Sequence, residues 1–595
     1  MKVSLRLGSL PLVLLSLGLV ACSGGITLDL GGASGGTAAA GGSTDSGTEG
    51  GGADAGGGGD TDSDAGGGAS PLVPQLSYVS STGTTGGEGQ AFSVTPSQLV
   101  DHGFAITQCA VKSGTTALPS WATLDATTCV ISGQPIKSLA STTYQIVATN
   151  SEGTSAHAAV TLSVDKSCYG QDATYLASKS LASVPGNGSS RINTGSSSAY
   201  EGVGSLSQTG RYVVFYSSAT NLVAGDTNNV ADIFLHDRET GVTERISVAS
   251  NGDQANGAST AASVSADGRY VVFDSVATNL VLGDTNAARD VFLRDRTAGT
   301  TTRISVDTSG TQSNGDSHYP SISADGKFVA FHSTATNLIG LDTNGVADVF
   351  LRWLDSGVTS RVSVNSEGTA GNGASTDATL SADGRYVAFT SAATNLLVDD
   401  DDHASDTNGF NDVFLRDRSL GITIVVSQSD SEALANQNSW GGSVSADGSR
   451  VSFTSQASNL VASDTNGVND VFVRDVSTKT TSLVSVKTDG TQAGAVSYLS
   501  TISGNGRYVA FYSAATNLVA GDTNGLFDLF VRDLTLSTTE RASVGVAGAE
   551  ANNNAGYSPG ISQDGRYVSF YSNASNLTCS GSTQDQIYVV DRDAL

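Results

Sequence analysis

Residues 263–306 read SVSADGRYVVFDSVATNLVLGDTNAARDVFLRDRTAGTTTRISV, and close variants recur through the C-terminal two-thirds of this 595-residue chain. The glycine of the Asp-Gly step, or its equivalent, falls at Gly210, Gly268, Gly326, Gly384, Gly448, Gly506 and Gly565, giving steps of 58, 58, 58, 64, 58 and 59 residues. A fixed period of this size denotes stacked or radially arranged units. Within the quoted copy, residues 263–266 and 269–275 are strand-like around Asp267-Gly268, a strong hairpin signal. Val271-Val272-Phe273 is apolar on both faces, so this strand is expected to be covered on both sides. Residues 290–296 and 301–306 form a second pair around a short turn. Four consecutive antiparallel strands make a propeller blade. The expectation is therefore an all-β chain with a seven-bladed β-propeller over residues 187–595.

The ends of the array bear on closure. The seventh copy stops without its R-x-S-V strand, and a matching piece stands upstream as Ser190-Arg191-Ile192-Asn193. This N-terminal strand is expected to complete the last blade, which would remove two sheet edges that otherwise invite aggregation. At the D-G-R-Y-V-x-F steps and the x-V-F-x-R-D-R strands, the repeats resemble the TolB-like, WD-repeat-like propeller units of bacterial envelope proteins. The resemblance implies a binding platform. A role in the Tol machinery is not carried over, because the T-N-L-V-x-x-D-T-N-G loop is foreign to TolB.

Strand order puts the tight turns on one face and the long connections, such as residues 276–289 and 307–320, on the other. Long loops on a rigid scaffold are where binding groups usually sit. The most regular loop feature is D-T-N-x-x-x-D: Asp226, Asn228 and Asp232; Asp284, Asn286 and Asp290; Asp342, Asn344 and Asp348; Asp406, Asn408 and Asp412; Asp464, Asn466 and Asp470; Asp522, Asn524 and Asp528. Oxygen side chains at positions 1, 3 and 7 are a spacing that calcium loops use. The same residues equally suit Asx-type turns that fasten one blade to the next. Departures from the repeat point to a partner instead. The fourth copy adds six residues and contains Asp399, Asp400, Asp401, Asp402 and His403. Trp353 replaces the usual Asp of R-D-R, and Trp440 and Tyr319 stand in or near long loops.

Upstream, Lys2 and Arg6 precede an apolar run from Leu10 to Leu19, then Leu19-Val20-Ala21-Cys22. The run is too short to span a bilayer. It resembles a bacterial lipoprotein signal, which implies cleavage after residue 21, acylation of Cys22 and, with Ser23 following, outer-membrane sorting. Residues 22–70 are almost wholly Gly, Ser, Ala, Thr and Asp, the composition of a disordered tether. Such a tether would reach about 35–42 Å root-mean-square.

Residues 71–165 turn globular, with strand-like runs and no helical period. Leu118-Pro119-Ser120-Trp121, Ile131-Ser132-Gly133-Gln134-Pro135 and Tyr144-Gln145-Ile146-Val147-Ala148-Thr149-Asn150 resemble bacterial Ig-like modules, which are cadherin-like β-sandwiches. Residues 166–186 are read as a connector. An oxidising compartment permits Cys109, Cys129, Cys168 and Cys579 to pair in three ways. Cys109 with Cys129 would staple the sandwich, and Cys168 with Cys579 would tie the two ends of the ring.

The formal charge is −27, and loss of Lys2 and Arg6 with the signal takes it to −29. Such an acidic chain repels phosphate backbones, so nucleic acid is not an expected partner. The six histidines, among them His102, His157 and His236, show neither metal-ligand spacing nor a triad setting. The functional expectation is a non-catalytic envelope lipoprotein, periplasmic or surface-exposed, whose propeller binds an envelope or extracellular protein. Recognition of a glycan or cell-wall polymer, or a structural role, is the alternative. No cofactor is expected other than calcium.

Overall fold

The computed structural model describes residues 26–29, 75–77, most of 92–164, 173–192, 205–397, 406–545, 548–578 and 582–595, with single gaps at 182 and 341. Among these residues are seven four-stranded antiparallel sheets that follow one another along the repeats, an arrangement consistent with a propeller. In the second, strands Ser259–Val264, Tyr270–Ser275, Asp290–Asp295 and Thr300–Arg303 lie side by side in chain order.

The S-x-D-G-R motif builds the first hairpin. Gly268 adopts φ +72°, where a Cβ is strained, and Asp267 Oδ1 accepts the hydroxyl of Ser265 (2.7 Å) and the N–H of Arg269 (2.9 Å). Ser265 Oγ in turn accepts the N–H of Tyr270 at 3.0 Å, so the turn leaves few polar groups unpaired. Val271, Val272 and Phe273 are wholly buried, as expected for a strand covered on both faces. Phe273 stacks across the register on Phe292, with ring centroids 5.8 Å apart, and Phe331–Phe350, Phe389–Phe414, Phe453–Phe472 and Phe511–Phe530 repeat the pair.

The core is divided among successive sheet junctions. One apolar cluster joins Val214, Ile233 and Leu235 of the first sheet to Val271 and Phe273 of the second, and similar clusters follow around the array. A last cluster unites Ile587 and Val589 of the seventh sheet with Val213, Phe215 and Phe234 of the first, closing the circle.

The closing strand is not the one expected. Thr174–Leu176 pairs antiparallel with Gln586–Asp591 and completes the last sheet, so this part of the stretch read as a connector belongs to the ring. Ser190–Arg191 instead opens the first sheet, opposite Ser217 and Tyr216. Arg191-Ile192-Asn193 imitates R-x-S-V, whereas the true counterpart, Thr174-Tyr175-Leu176-Ala177-Ser178-Lys179, has lost the arginine. A second correction concerns the tether. Ile26–Asp29 pairs antiparallel with Ala158–Val164, because Ile26-Thr27-Leu28 has the alternation of a strand and that neighbour offers an edge. The remainder of 22–70 lies outside the described residues.

Between them, residues 75–164 form a sheet around Leu139–Asn150 together with a three-stranded and a two-stranded sheet. A disulfide joins Cys109 to Cys129, with Cα atoms 5.2 Å apart. Cys168 and Cys579 lie outside the described residues, as does Cys22.

The hairpin glycine also meets the preceding sheet. A Cβ on Gly268 would stand 2.2 Å from the Tyr212 ring, whereas one on Gly506 would find nothing nearer than 3.6 Å. Gly506→Ala is expected to cost about 1 kcal/mol, from left-handed strain alone. Gly268→Ala should cost about 1–3 kcal/mol more, since the ring must also move. Denaturant midpoints of the two variants check the difference.

Candidate functional site

The D-T-N-x-x-x-D loops turn out to be tightly bonded to their own sheets. In the second copy the Asn286 carboxamide donates to Asp290 Oδ2 (3.0 Å) and to the Ser313 carbonyl (3.0 Å), while its oxygen accepts the N–H of Ala288 (3.1 Å). Asp290 Oδ1 accepts the hydroxyls of Ser305 (2.5 Å) and Ser313 (2.9 Å). Arg303, from the outer strand, lies between the two carboxylates, 3.5 Å from Asp284 and 3.7 Å from Asp290. Arg245 stands likewise between Asp226 and Asp232, Arg361 between Asp342 and Asp348, and Arg541 between Asp522 and Asp528. In the fifth copy Leu483 takes the arginine position, and Gln492 donates instead to Asp464 Oδ1 (2.8 Å) and Asp470 Oδ2 (3.0 Å).

The fourth copy has neither group. Val425 occupies the arginine register opposite Phe414, and Leu434 occupies that of the glutamine. Asp412 keeps its bonds from Asn408 (2.7 Å) and Ser427 (2.6 Å). Its burial, with the neighbouring Asp406 adding to it, pushes the carboxyl up to about 7 against those hydrogen bonds. Among the described residues no group of three or more His, Cys, Asp and Glu side chains is arranged to hold a metal.

The adjoining T-N-L motif is a staple. Asn256 and Asn279 tie two connections together, Asn279 Oδ1 accepting the N–H of Asn256 (2.9 Å) and Asn256 Oδ1 that of Thr278 (2.8 Å). Asn314 with Asn337, Asn372 with Asn395 and Asn436 with Asn459 repeat it. Regular residues thus serve the scaffold.

Variation concentrates where the inner strands begin, beside the long connections. The second residue of the inner strand is Thr260, His318, Thr376, Trp440 or Tyr498, and its cross-strand neighbourhood holds Asp274, His332, Thr390, Thr454 or Tyr512. The next residue sits in the left-handed region at Tyr319 (φ 49°), Asp377 (φ 55°), Leu499 (φ 57°) and Ser558 (φ 47°), and Gly441 (φ 68°) takes the same conformation without strain, whereas Ala261 of the second sheet does not adopt it. A register shift accompanies this turn in each of these strands.

The mouth so formed has two halves. On the second to fourth sheets, Asp274 accepts Thr260 Oγ1 (2.6 Å), Arg289 Nη1 (2.8 Å) and the backbone N–H of Tyr319 (3.1 Å) from the next sheet. His332 lies against the rings of His318 (5.6 Å) and Tyr319 (5.3 Å), and burial drives it down to about 3. Burial likewise raises Asp377 to about 6. On the sixth and seventh sheets the aromatic rings of Phe527, Tyr512, Tyr557 and Tyr571 follow one another in that order, with centroids 4.2, 4.6 and 4.9 Å apart. At the opposite end of the axis, a cavity of about 140 Å³ is ringed by Leu206, Val264, Ile322, Leu380, Val444, Ile502 and Ile561.

Of the tryptophans, Trp440 is an inner-strand residue and only 4% exposed, opposite Thr454, so it is a buried anchor and no loop platform. Tyr319 is also in a strand. Trp353 ends the strand Asp348–Trp353, is 42% exposed and lies 5.6 Å from Phe328 on the tight-turn side. Asp399, Asp400, Asp401 and Asp402 lie outside the described residues. The His318–His332 pair escaped sequence reasoning because the two are brought together only by cross-strand register; aligning the copies position by position would have exposed it.

Residues 73–165 match the family model described as "Putative Ig domain". No curated protein matches the chain. Among solved structures, TolB from Acinetobacter baumannii is 14% identical, with 68% of this chain and 77% of that one covered and a TM-score of 0.32. A "putative TolB" from Agrobacterium tumefaciens is 16% identical over 50% of this chain and 89% of its own, with a TM-score of 0.30. Hydrazine synthase from Kuenenia stuttgartiensis is 14% identical over 67% and 97%, with a TM-score of 0.34. The chain is thus similar to TolB propellers and has an Ig-like module before its repeats. At these scores the likeness carries no argument about function.

The buried imidazoles set a pH dependence. His332 and His236 both sit near 3 in the folded chain through burial, below the ordinary 6.5. The unfolded chain then binds more protons below pH 6.5, so this stability is present above 6.5 and is lost as pH falls towards 3. The loss approaches about 1.4 kcal/mol per pH unit for each histidine. Between pH 7 and 5, His332→Gln should lose less melting temperature than the wild type in parallel scans.

Proposed function

We propose that this chain is a non-catalytic lipoprotein of the outer membrane whose seven sheets are the blades of a propeller, and that the propeller binds a protein partner at its loop-side mouth. In this reading the acylated Cys22 anchors the chain, residues 30–70 give reach, and an Ig-like sandwich serves as spacer. The observation that carries it is the place where repetition fails. Scaffold positions are nearly uniform from copy to copy, whereas the mouth sets His318, Tyr319 and Arg289 against Tyr498, Phe527 and Tyr557. A surface with charged and aromatic halves on a rigid support is the composition of a protein-binding patch, where Tyr and Arg dominate affinity. Strained residues at the mouth agree with this, since strain gathers where binding groups must be aimed.

A photo-crosslinking residue at Tyr498 or His318, in native envelopes, is expected to capture one discrete protein that the same residue at Trp353, on the opposite face, does not. Equal labelling from both faces would sink the proposal. Recognition of a neutral polysaccharide is the second reading, favoured by the aromatic half; it predicts glycan binding that Tyr498→Ala reduces at least about tenfold.

A further inference from the structure

The strand Ile26–Asp29 lies at the end of its sheet, and among the described residues its one neighbour is Ala158–Val164. The pairing is antiparallel, with Ile26 opposite Val164, Thr27 opposite Ser163, Leu28 opposite Leu162 and Asp29 opposite Thr161. Gly24-Gly25 before it and Gly31-Gly32 after it disfavour a longer ladder. Two connections leave this pair from the same end. Cys22 is four residue steps before Ile26 and so stands within about 14 Å of it. Val164, directly opposite, leads on to the first strand of the ring at Thr174. From the other end, Asp29 is followed by residues 30–74 before the chain re-enters the module at Gln75–Ser77, which pairs with Gln98–Val100. While the strand is docked, residues 30–74 are a closed loop that adds nothing to the distance between Cys22 and the ring. Once it is undocked they lie in line, with a contour of about 150–165 Å.

We propose that Ile26–Asp29 is a releasable latch that sets how far the propeller stands from the membrane, opened by tension between the bilayer and a partner held at the mouth. This rests on the reading of Cys22 as a lipid anchor. Docked, the latch keeps Val164 within roughly 20 Å of Cys22, four residue steps plus one strand spacing. Released, it gives the tether its root-mean-square reach of about 35–42 Å. The register makes this contact the first to yield. Ile26 and Val164 face each other at the loaded end, so tension peels the ladder one pair at a time and never loads all of its bonds together. A four-residue edge strand also belongs to the low end of local stability, where opening does not require the rest of the module to unfold. The cut edge of Ala158–Val164 is re-covered when tension falls, since the latch remains tied to the module by residues 30–74.

The test stretches the mature, unacylated chain between handles at residues 22 and 166, a path that leaves the ring unloaded. A first lengthening of roughly 150 Å is expected, at a force below that of every later step. Thr27→Pro combined with Leu28→Pro removes a ladder donor whichever of the two faces the neighbour, and should abolish that step while the later ones stay unchanged. Ile26→Gly combined with Leu28→Gly, which retains every backbone donor, is expected to lower its force. A wild type without the early step overturns the latch, and so does a step that keeps its length and force in both variants. The anchor is read separately, from the mass of the N-terminal peptide of the exported protein. An unmodified Cys22 overturns the membrane reading, and with it the source of tension, even where the early step is present.

Discussion

The ring depends on one contact made at six of its seven junctions: the glycine of a tight hairpin lies against an aromatic ring of the sheet before it. Gly268 covers the ring of Tyr212, Gly326 that of Tyr270, Gly384 that of Phe328 and Gly448 that of Tyr386, while Gly565 covers Tyr508 and Gly210 closes the circle on Tyr567. The residue three after the third-strand centre adds a second hold. Arg296 bonds the Gly268 carbonyl at 2.5 Å and lies over Tyr212, and Arg238, Arg418 and Arg592 do the same at their junctions. Glycine is required twice over, for its positive φ and for the missing Cβ. Spacing between sheets is thereby fixed by a ring thickness and not by loop length.

That clasp explains which parts of the chain vary. Where Lys327 and Trp353 replace the Arg–Asp pair seen as Arg269–Asp295, the third sheet still has Phe328 under Gly384, so the junction survives. The inner-strand openings take no part in the clasp and are free to differ. Diversity at the mouth is thus compatible with a uniform scaffold, because the two are built by different residues of the same strands.

Much of this was legible from the chain alone. The hairpin at Asp267-Gly268, the doubly apolar Val271-Val272-Phe273 and the repeat period define the strands because local chemistry and packing agree. Reading failed where an imitation outcompeted the original: Arg191-Ile192-Asn193 looks more like the repeat than Thr174-Tyr175-Leu176, although the latter supplies the hydrogen bonds. Trp440 misled because an inner strand that begins with a bulge reads as loop. The mouth was illegible because its members, from Asp274 to Tyr571, are joined by cross-strand register and by packing between neighbouring sheets and share no local pattern. The loop carboxylates were visible, but the arginine between them sits on another strand.

The strand Thr174–Leu176 also orders events in time. It emerges first among the ring's strands yet its partner emerges last, and the bond from Ile587 to Ser178 spans 409 residues. Loop-closure entropy grows only slowly with such a span, so the finished circle loses little equilibrium stability by it. Kinetics differ, since contacts this distant form late and leave earlier sheets with an open flank. While the chain is being made, the array therefore keeps one open flank until the final strand meets a segment that has waited since the beginning.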